Sequence, residues 1–276
     1  MTAYEASWKR AALALARKSG WELRLGCGPI VATAIHAGHA MRDSLEKWMS
    51  VDGAARRRDE DPLTDLWTSS ADHALNVLRS RFEVDLNRSR RRALATDPAD
   101  TWGISFWNQR PPRDEIEHSL RAHDAFYNLT QQWFDRLLER WGEILVLDVH
   151  SYNHRREGPE VPEAPAEANP ELDLGVTTLD PRAWSDLVER FSEALRRPAD
   201  GRCFDVRHNV RYPDGGYFPE WLYAIYRNRV CTITIEVKKF YMDEWSGAAD
   251  LAEVEAVRSA IARAIAEVRF RWAARC

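Results

Sequence analysis

Cysteine is scarce in these 276 residues, and the four present, Cys27, Cys203, Cys231 and Cys276, stand far apart. That spacing excludes a CxxC zinc clamp and the dense pairing of a disulfide scaffold, so reduced thiols are expected. No apolar run approaches the roughly 20 residues that span a bilayer. The N-terminal MTAYEASWKRAALALARKSG carries Glu5 and is broken by Arg17 and Lys18, unlike a signal peptide. The expectation is a cytoplasmic protein with no membrane partner. Charge of one sign is lacking as well: 39 Lys and Arg against 43 Asp and Glu leave −4, with no global field to draw nucleic acid or anionic lipid. Two short arginine clusters, "RRRDEDP" and "SRRRA", have no aromatic stacking platform beside them, so a nucleic-acid partner is not expected. Apolar residues, by contrast, make up 45% of the chain and include 12 Trp, ample for a substantial core.

Periodicity divides the chain into alternating elements. Helical spacing over 3–18 stops at Gly20, and the short apolar run 30–35 reads as a strand. A helical segment near 40–49 follows, then a helix around 63–79 that Asp61 and Pro62 could open as N-cap and first residue. Alternation of Phe82, Val84 and Leu86 suggests a strand within 80–92. Residues 114–141 form a long amphipathic helix closed by Gly142, leading into the strand 144–149. The stretch 153–181 turns to Pro, Glu, Gly and Asn, the composition of a long active-site loop or lid. A helix at 182–196, a strand at 230–240 and a helix at 248–272 complete the pattern. With no repeat and no other linker-like shift, the reading is an α/β fold: a single three-layer domain over 1–276, a mixed sheet flanked by helices.

Ligand sites in open α/β sheets collect beyond the carboxyl ends of the strands. Three predicted strands end at His36, His150 and Glu236. Two imidazoles and an acid suffice for a catalytic zinc that keeps its fourth position open, although a lone strand-end histidine is more often a hydrogen-bonded structural residue. Asp148 shares a face with His150 and could orient its ring. Glu236 and Lys238 also share a face, so a structural ion pair between them stays open.

"AIHAGH", "DEDP", "SRFEVDLNR", "LDVHSYNHRR" and "IEVKKFYMDEW", in this order from about residue 30 to 245, together resemble the N-formylglutamate amidohydrolase family. That family is similar in fold to zinc carboxypeptidases and aspartoacylase. The resemblance implies a hydrolase of the zinc carboxypeptidase-like fold, using one zinc ion or another divalent transition metal to cleave the amide bond of a small N-acyl, N-formyl-like amino acid. His36 and His150 would be metal ligands. The peptidase relatives use His-x-x-Glu, but the third position after His36 is His39, so the acidic ligand is either replaced by His39 or supplied by Glu60 of "DEDP"; Glu60 is preferred because it completes a His2Glu set. Glu236 resembles the general base, Arg81 an arginine near the scissile carbonyl, and Asn87 with Arg88 the pair that grips the substrate carboxylate; Ser151 and Asn153 would line the pocket. Two alternatives remain: a carboxypeptidase-like deacylase acting on a peptide or modified amino acid, and a catalytically inactive binding module. Oligomeric state is not assigned.

Overall fold

The computed structural model describes residues 3–96, 105–198 and 201–275. After helix α1 (Ala3–Ser19) the chain lays down β1 (Trp21–Arg24) and β2 (Ile30–Ala34), then two short helices, α2 (Asp43–Glu46) and α3 (Gly53–Asp59), and β3 (His73–Val77). The long helix α4 (Arg113–Trp141) precedes β4 (Ile144–Tyr152) and β5 (Leu172–Gly175). The remainder comprises α5 (Pro181–Arg196), β6 (Val206–His208), α6 (Tyr217–Tyr226), β7 (Val230–Lys238) and α7 (Leu251–Val268).

The seven strands form one mixed sheet in the order β1-β3-β2-β4-β7-β5-β6. Strands β3, β2, β4 and β7 run parallel, whereas β1 and β5 are antiparallel to their neighbours β3 and β7. Every residue of β4 and β7 is buried, so both faces of the central sheet are covered, as their near-continuous apolar sequences require. The covers are two helix groups. Tyr226 of α6 hydrogen-bonds to Gln131 and Asp135 of α4, while α5 packs along α7. Helix α4 stops where its sequence says it should, at Gly142, which adopts φ 76° while its N–H caps Leu138.

Three local expectations are corrected. Residues 63–79 are not one helix: a 3-10 turn over Thr64–Ser70 gives way to β3, whose apolar residues pair with β1 and β2. The stretch 80–92 is not a strand but a series of turns. Its alternation is real, yet it reflects a segment wedged between two cores: Phe82 packs into a small cluster with Met41, Leu45, Phe106 and Trp107, while Val84 and Leu86 enter the main core. The long loop ends earlier than 181, because residues 172–175 form β5, hydrogen-bonded to β6 and β7. Cys27, Cys203 and Cys231 are free thiols; Cys276 lies outside the described residues. Among the described residues, no helix is long and apolar enough to cross a membrane.

Candidate metal centre

Parallel pairing of β2, β4 and β7 brings their carboxyl ends to one side of the sheet, and the ionisable residues gather there. His36 lies just past β2. His150 lies within β4, directly beside Glu236 in the register of β4 on β7. The two imidazole centroids are 4.8 Å apart. Between them sits Asp61: its Oδ2 is 3.0 Å from His150 Nδ1 and 3.5 Å from His36 Nδ1. One donor atom from each of His36, Asp61 and His150 lies within 4.8 Å of the others, and all three residues are buried.

The third member is therefore not one of the two residues expected. His39 and Glu60 bind each other, Nδ1 to Oε2 at 2.6 Å, and Ser80 donates to the other Glu60 oxygen. The reason is backbone alternation. Helix α3 ends at Asp59, Glu60 is extended (φ −80°, ψ 174°), and successive extended residues point to opposite sides. Glu60 thus faces away and Asp61 faces in. Asp61, expected to cap a helix, is held in place by its amide, which donates to His36 O at 3.0 Å.

Each imidazole is oriented from behind by a carboxylate. His36 Nε2 donates to Asp85 Oδ1 at 2.8 Å, and His150 Nε2 to Asp148 Oδ2 at 3.0 Å. Asp148 is itself fixed by Thr33, whose Oγ1 donates at 2.7 Å. Because Nε2 carries the proton in each contact, both Nδ1 atoms are directed inward, the arrangement in which a carboxylate sets the tautomer of a metal-binding histidine. His36 Nδ1 is a buried atom with no hydrogen-bond partner. An orphaned imidazole nitrogen beside a second imidazole and a carboxylate is a donor set that fits a divalent transition metal.

The electrostatics agree with a site built for a cation. Burial opposes ionisation of Asp61, but the two imidazoles that face it, His150 first and then His36, outweigh burial and hold the carboxyl well below its ordinary range. Burial likewise opposes charge on Asp85, where Arg81 and His36 win. His150 is pushed well above the usual imidazole range, against its own burial, by Asp148 and Asp61. The triad opens into a cleft of about 590 Å³, lined also by Arg81, Asn87, Arg88, Ser151, Asn153 and Glu236.

Residues 28–242 match the N-formylglutamate amidohydrolase family, which is most of the chain. The chain belongs to that family. Among solved structures, an N-formylglutamate amidohydrolase from Ralstonia eutropha superposes with a TM-score of 0.70 at 19% identity, covering 92% of this chain and 99% of that one. A gene product from Agrobacterium tumefaciens gives 0.59 at 14% identity, covering 91% and 98%. A metallo-carboxypeptidase from Burkholderia cenocepacia matches more loosely, at 0.38 and 12%, over 98% of this chain and 69% of that one. No curated protein sequence matches the chain.

The remaining expected residues fall into two groups. Glu236 and the arginines face the cleft. Burial, aided by the negative Asp61 and Asp148, pushes the Glu236 carboxyl up to about 8, although His150 and Arg81 pull the other way. Lys238 is not its partner: the lysine reaches Glu163 instead, at 3.4 Å. Arg81 Nη2 donates to Asp85 Oδ2 at 2.8 Å and Arg88 Nε to the same oxygen at 3.3 Å, so one carboxylate steadies an imidazole and two guanidinium groups. Asp85 falls inside "SRFEVDLNR", but nothing in the linear text shows what a loop aspartate touches.

The second group is committed to the fold around the cleft. Asn87 Nδ2 donates to Gly215 O at 2.8 Å, and its Oδ1 accepts from Phe218 N at 2.9 Å, capping α6 from another segment. Gly216, at φ 97°, lies so close that an added Cβ would come within 2.6 Å of that amide. Asn153 bridges Asp59 and Lys239, and Ser151 Oγ stands 3.4 Å from Asp61 Oδ1.

Proposed function

We propose that this chain hydrolyses the amide bond of a small N-acyl amino acid that carries a free carboxylate, using a divalent transition metal, zinc by preference, held by His36, Asp61 and His150. The observation that carries the reading is the convergence of those three buried donors beside Glu236, in a cleft that Arg81 and Arg88 also line. The metal, when bound, would supply Lewis-acid polarisation of the scissile carbonyl and acidification of water near neutral pH.

Glu236 has the position and the basicity of the proton carrier. Beside a cation held by the triad, the raised Glu236 carboxyl would be drawn back down, leaving a carboxylate that takes a proton from the attacking water and passes it to the leaving nitrogen. Arg81 adds a fixed positive charge at the cleft for the oxyanion that develops at the carbonyl carbon. Arg88 offers the substrate carboxylate a planar fork of donors. Asn87 acts at one remove, by shaping the Gly215–Phe218 wall, and Ser151 and Asn153 also line the cleft. The family's name and the Ralstonia eutropha relative favour a formyl-type acyl group.

A second reading shares the same machinery. A cleft of about 590 Å³ is ample for a ligand larger than a formylated amino acid, which favours a deacylase acting on a short peptide or modified amino acid. Both are tested by assaying zinc-loaded protein on N-formyl, N-acetyl and N-aminoacyl derivatives of acidic, neutral and aromatic amino acids, measuring acid and amine release. Preference for N-formyl substrates supports the first reading, and preference for N-aminoacyl substrates the second. Absence of turnover on the whole panel by protein with one bound metal per chain would remove both.

A further inference from the structure

Lys239 is a buried lysine whose role the reaction does not explain. Its Nζ contacts three oxygens: Arg58 O at 2.6 Å, Glu60 O at 2.7 Å and Asn153 Oδ1 at 2.8 Å. Three short contacts to atoms that only accept require three N–H groups, so the side chain sits there as an ammonium with every donor used. Two residues on, in the same 3-10 turn, the Tyr241 hydroxyl donates to Pro62 O at 2.8 Å, with its ring wholly buried against Trp67. The turn that follows β7 therefore grips the carbonyls on both sides of Asp61, Glu60 before it and Pro62 after it. Asp61 itself lies in a loop outside the sheet, where its amide donates to His36 O and its carbonyl accepts from Thr64 Oγ1 at 2.8 Å, so the turn adds the two flanking carbonyls to these local contacts.

We propose that the Lys239–Tyr241 turn is a positioning clamp for the metal site, setting the depth at which the Asp61 carboxylate meets His36 and His150. It couples the segment that supplies the acidic ligand to the strand that carries Glu236, so ligand and base keep a common frame. The inference rests on the reading of Asp61 as a ligand, and goes beyond it by assigning that ligand's placement to residues that do not touch the metal.

The test uses the full chain and three variants, Lys239→Met, Tyr241→Phe and Asp61→Asn. Zinc dissociation constants come from chelator competition, visible spectra from cobalt-substituted protein, and melting temperatures from the metal-free forms. Tyr241→Phe keeps the buried ring and safeguards the experiment if Lys239→Met does not fold. The clamp predicts zinc affinity about tenfold weaker in Tyr241→Phe and up to about a hundredfold weaker in Lys239→Met, the range for groups that orient ligands. It also predicts an altered cobalt spectrum in each. A merely stabilising turn would lower the metal-free melting temperature and leave affinity and spectrum as in the parent. That result, with Asp61→Asn losing zinc, overturns the clamp and spares the ligand reading. Parent-like zinc affinity in Asp61→Asn overturns both.

Discussion

The sharpest prediction concerns the two neighbours Glu60 and Asp61, which differ by one methylene and one residue number but face opposite ways. Metal at a thousandfold excess over its dissociation constant stabilises the folded chain by about 4 kcal/mol. For a protein of this size each kcal/mol moves the melting temperature by roughly 2–4 °C, so metal should raise it by roughly 8–16 °C. Asp61→Asn removes the charged member of a three-donor set. A hundredfold or greater loss of affinity would take away at least about 2.7 kcal/mol of that gain, roughly 5–11 °C. Glu60→Gln weakens the buried contacts to His39 and Ser80 and lowers the metal-free melting temperature, yet the increment on adding metal should persist. The assay is differential scanning fluorimetry of metal-stripped protein with and without zinc, paired with metal analysis after dialysis. If Glu60→Gln abolishes the increment while Asp61→Asn retains it, the geometric argument for the ligand set is wrong.

Four further outcomes follow from the same site. Glu236→Gln should reduce kcat by at least about 10²–10⁴-fold with metal still bound; near-normal turnover would refute its role. In the metal-free protein that carboxyl binds its proton up to about pH 8 when folded but only to about 4.5 when unfolded. Its raised folded pKa makes stability fall as pH rises through that window, by up to about 1.4 kcal/mol per pH unit, and Glu236→Gln should flatten the slope in urea titrations. Asp85→Asn should weaken zinc binding by about 10–100-fold through the tautomer and orientation of His36, which chelator competition would detect and an unchanged affinity would contradict. Arg88→Lys should raise KM for carboxylate-bearing substrates roughly tenfold to a hundredfold with a smaller change in kcat, because lysine cannot reproduce a two-point grip; steady-state kinetics with a substrate and its amide analogue separate this from a general loss.

Much of the architecture could be read from local pattern. The runs at 30–35, 144–149 and 230–240 fall on β2, β4 and β7, although β4 runs on to Tyr152 and β7 gives way at Lys239 to a 3-10 turn, and α4 and α5 begin and end within a residue or so of where periodicity and caps put them. Residues 73–77 could not be read so, because five residues give too little period to separate a buried strand from the helical text before them. The turns at 80–92 misled for the opposite reason: alternation records which side chains are buried, and a loop between two cores alternates as a strand does.

What the sequence determined by itself is the chemistry available: imidazoles at 36 and 150 and a carboxyl at 236, carried on or next to apolar strands that had to be buried, together with guanidinium groups at 81 and 88. Those identities, with their order along the chain, were sufficient to suggest a family and a hydrolytic site. Tertiary structure alone decided that Asp61 rather than Glu60 or His39 stands between the imidazoles, that Asp85 braces His36 and both arginines, and that Asn87 serves the wall of the cleft. The physical reason is common to all three. Identity is a local property, but the direction of a loop side chain depends on which distant carbonyls, carboxylates and amides hold its backbone, and those partners come from segments up to about 180 residues away, as Lys239 does for Glu60.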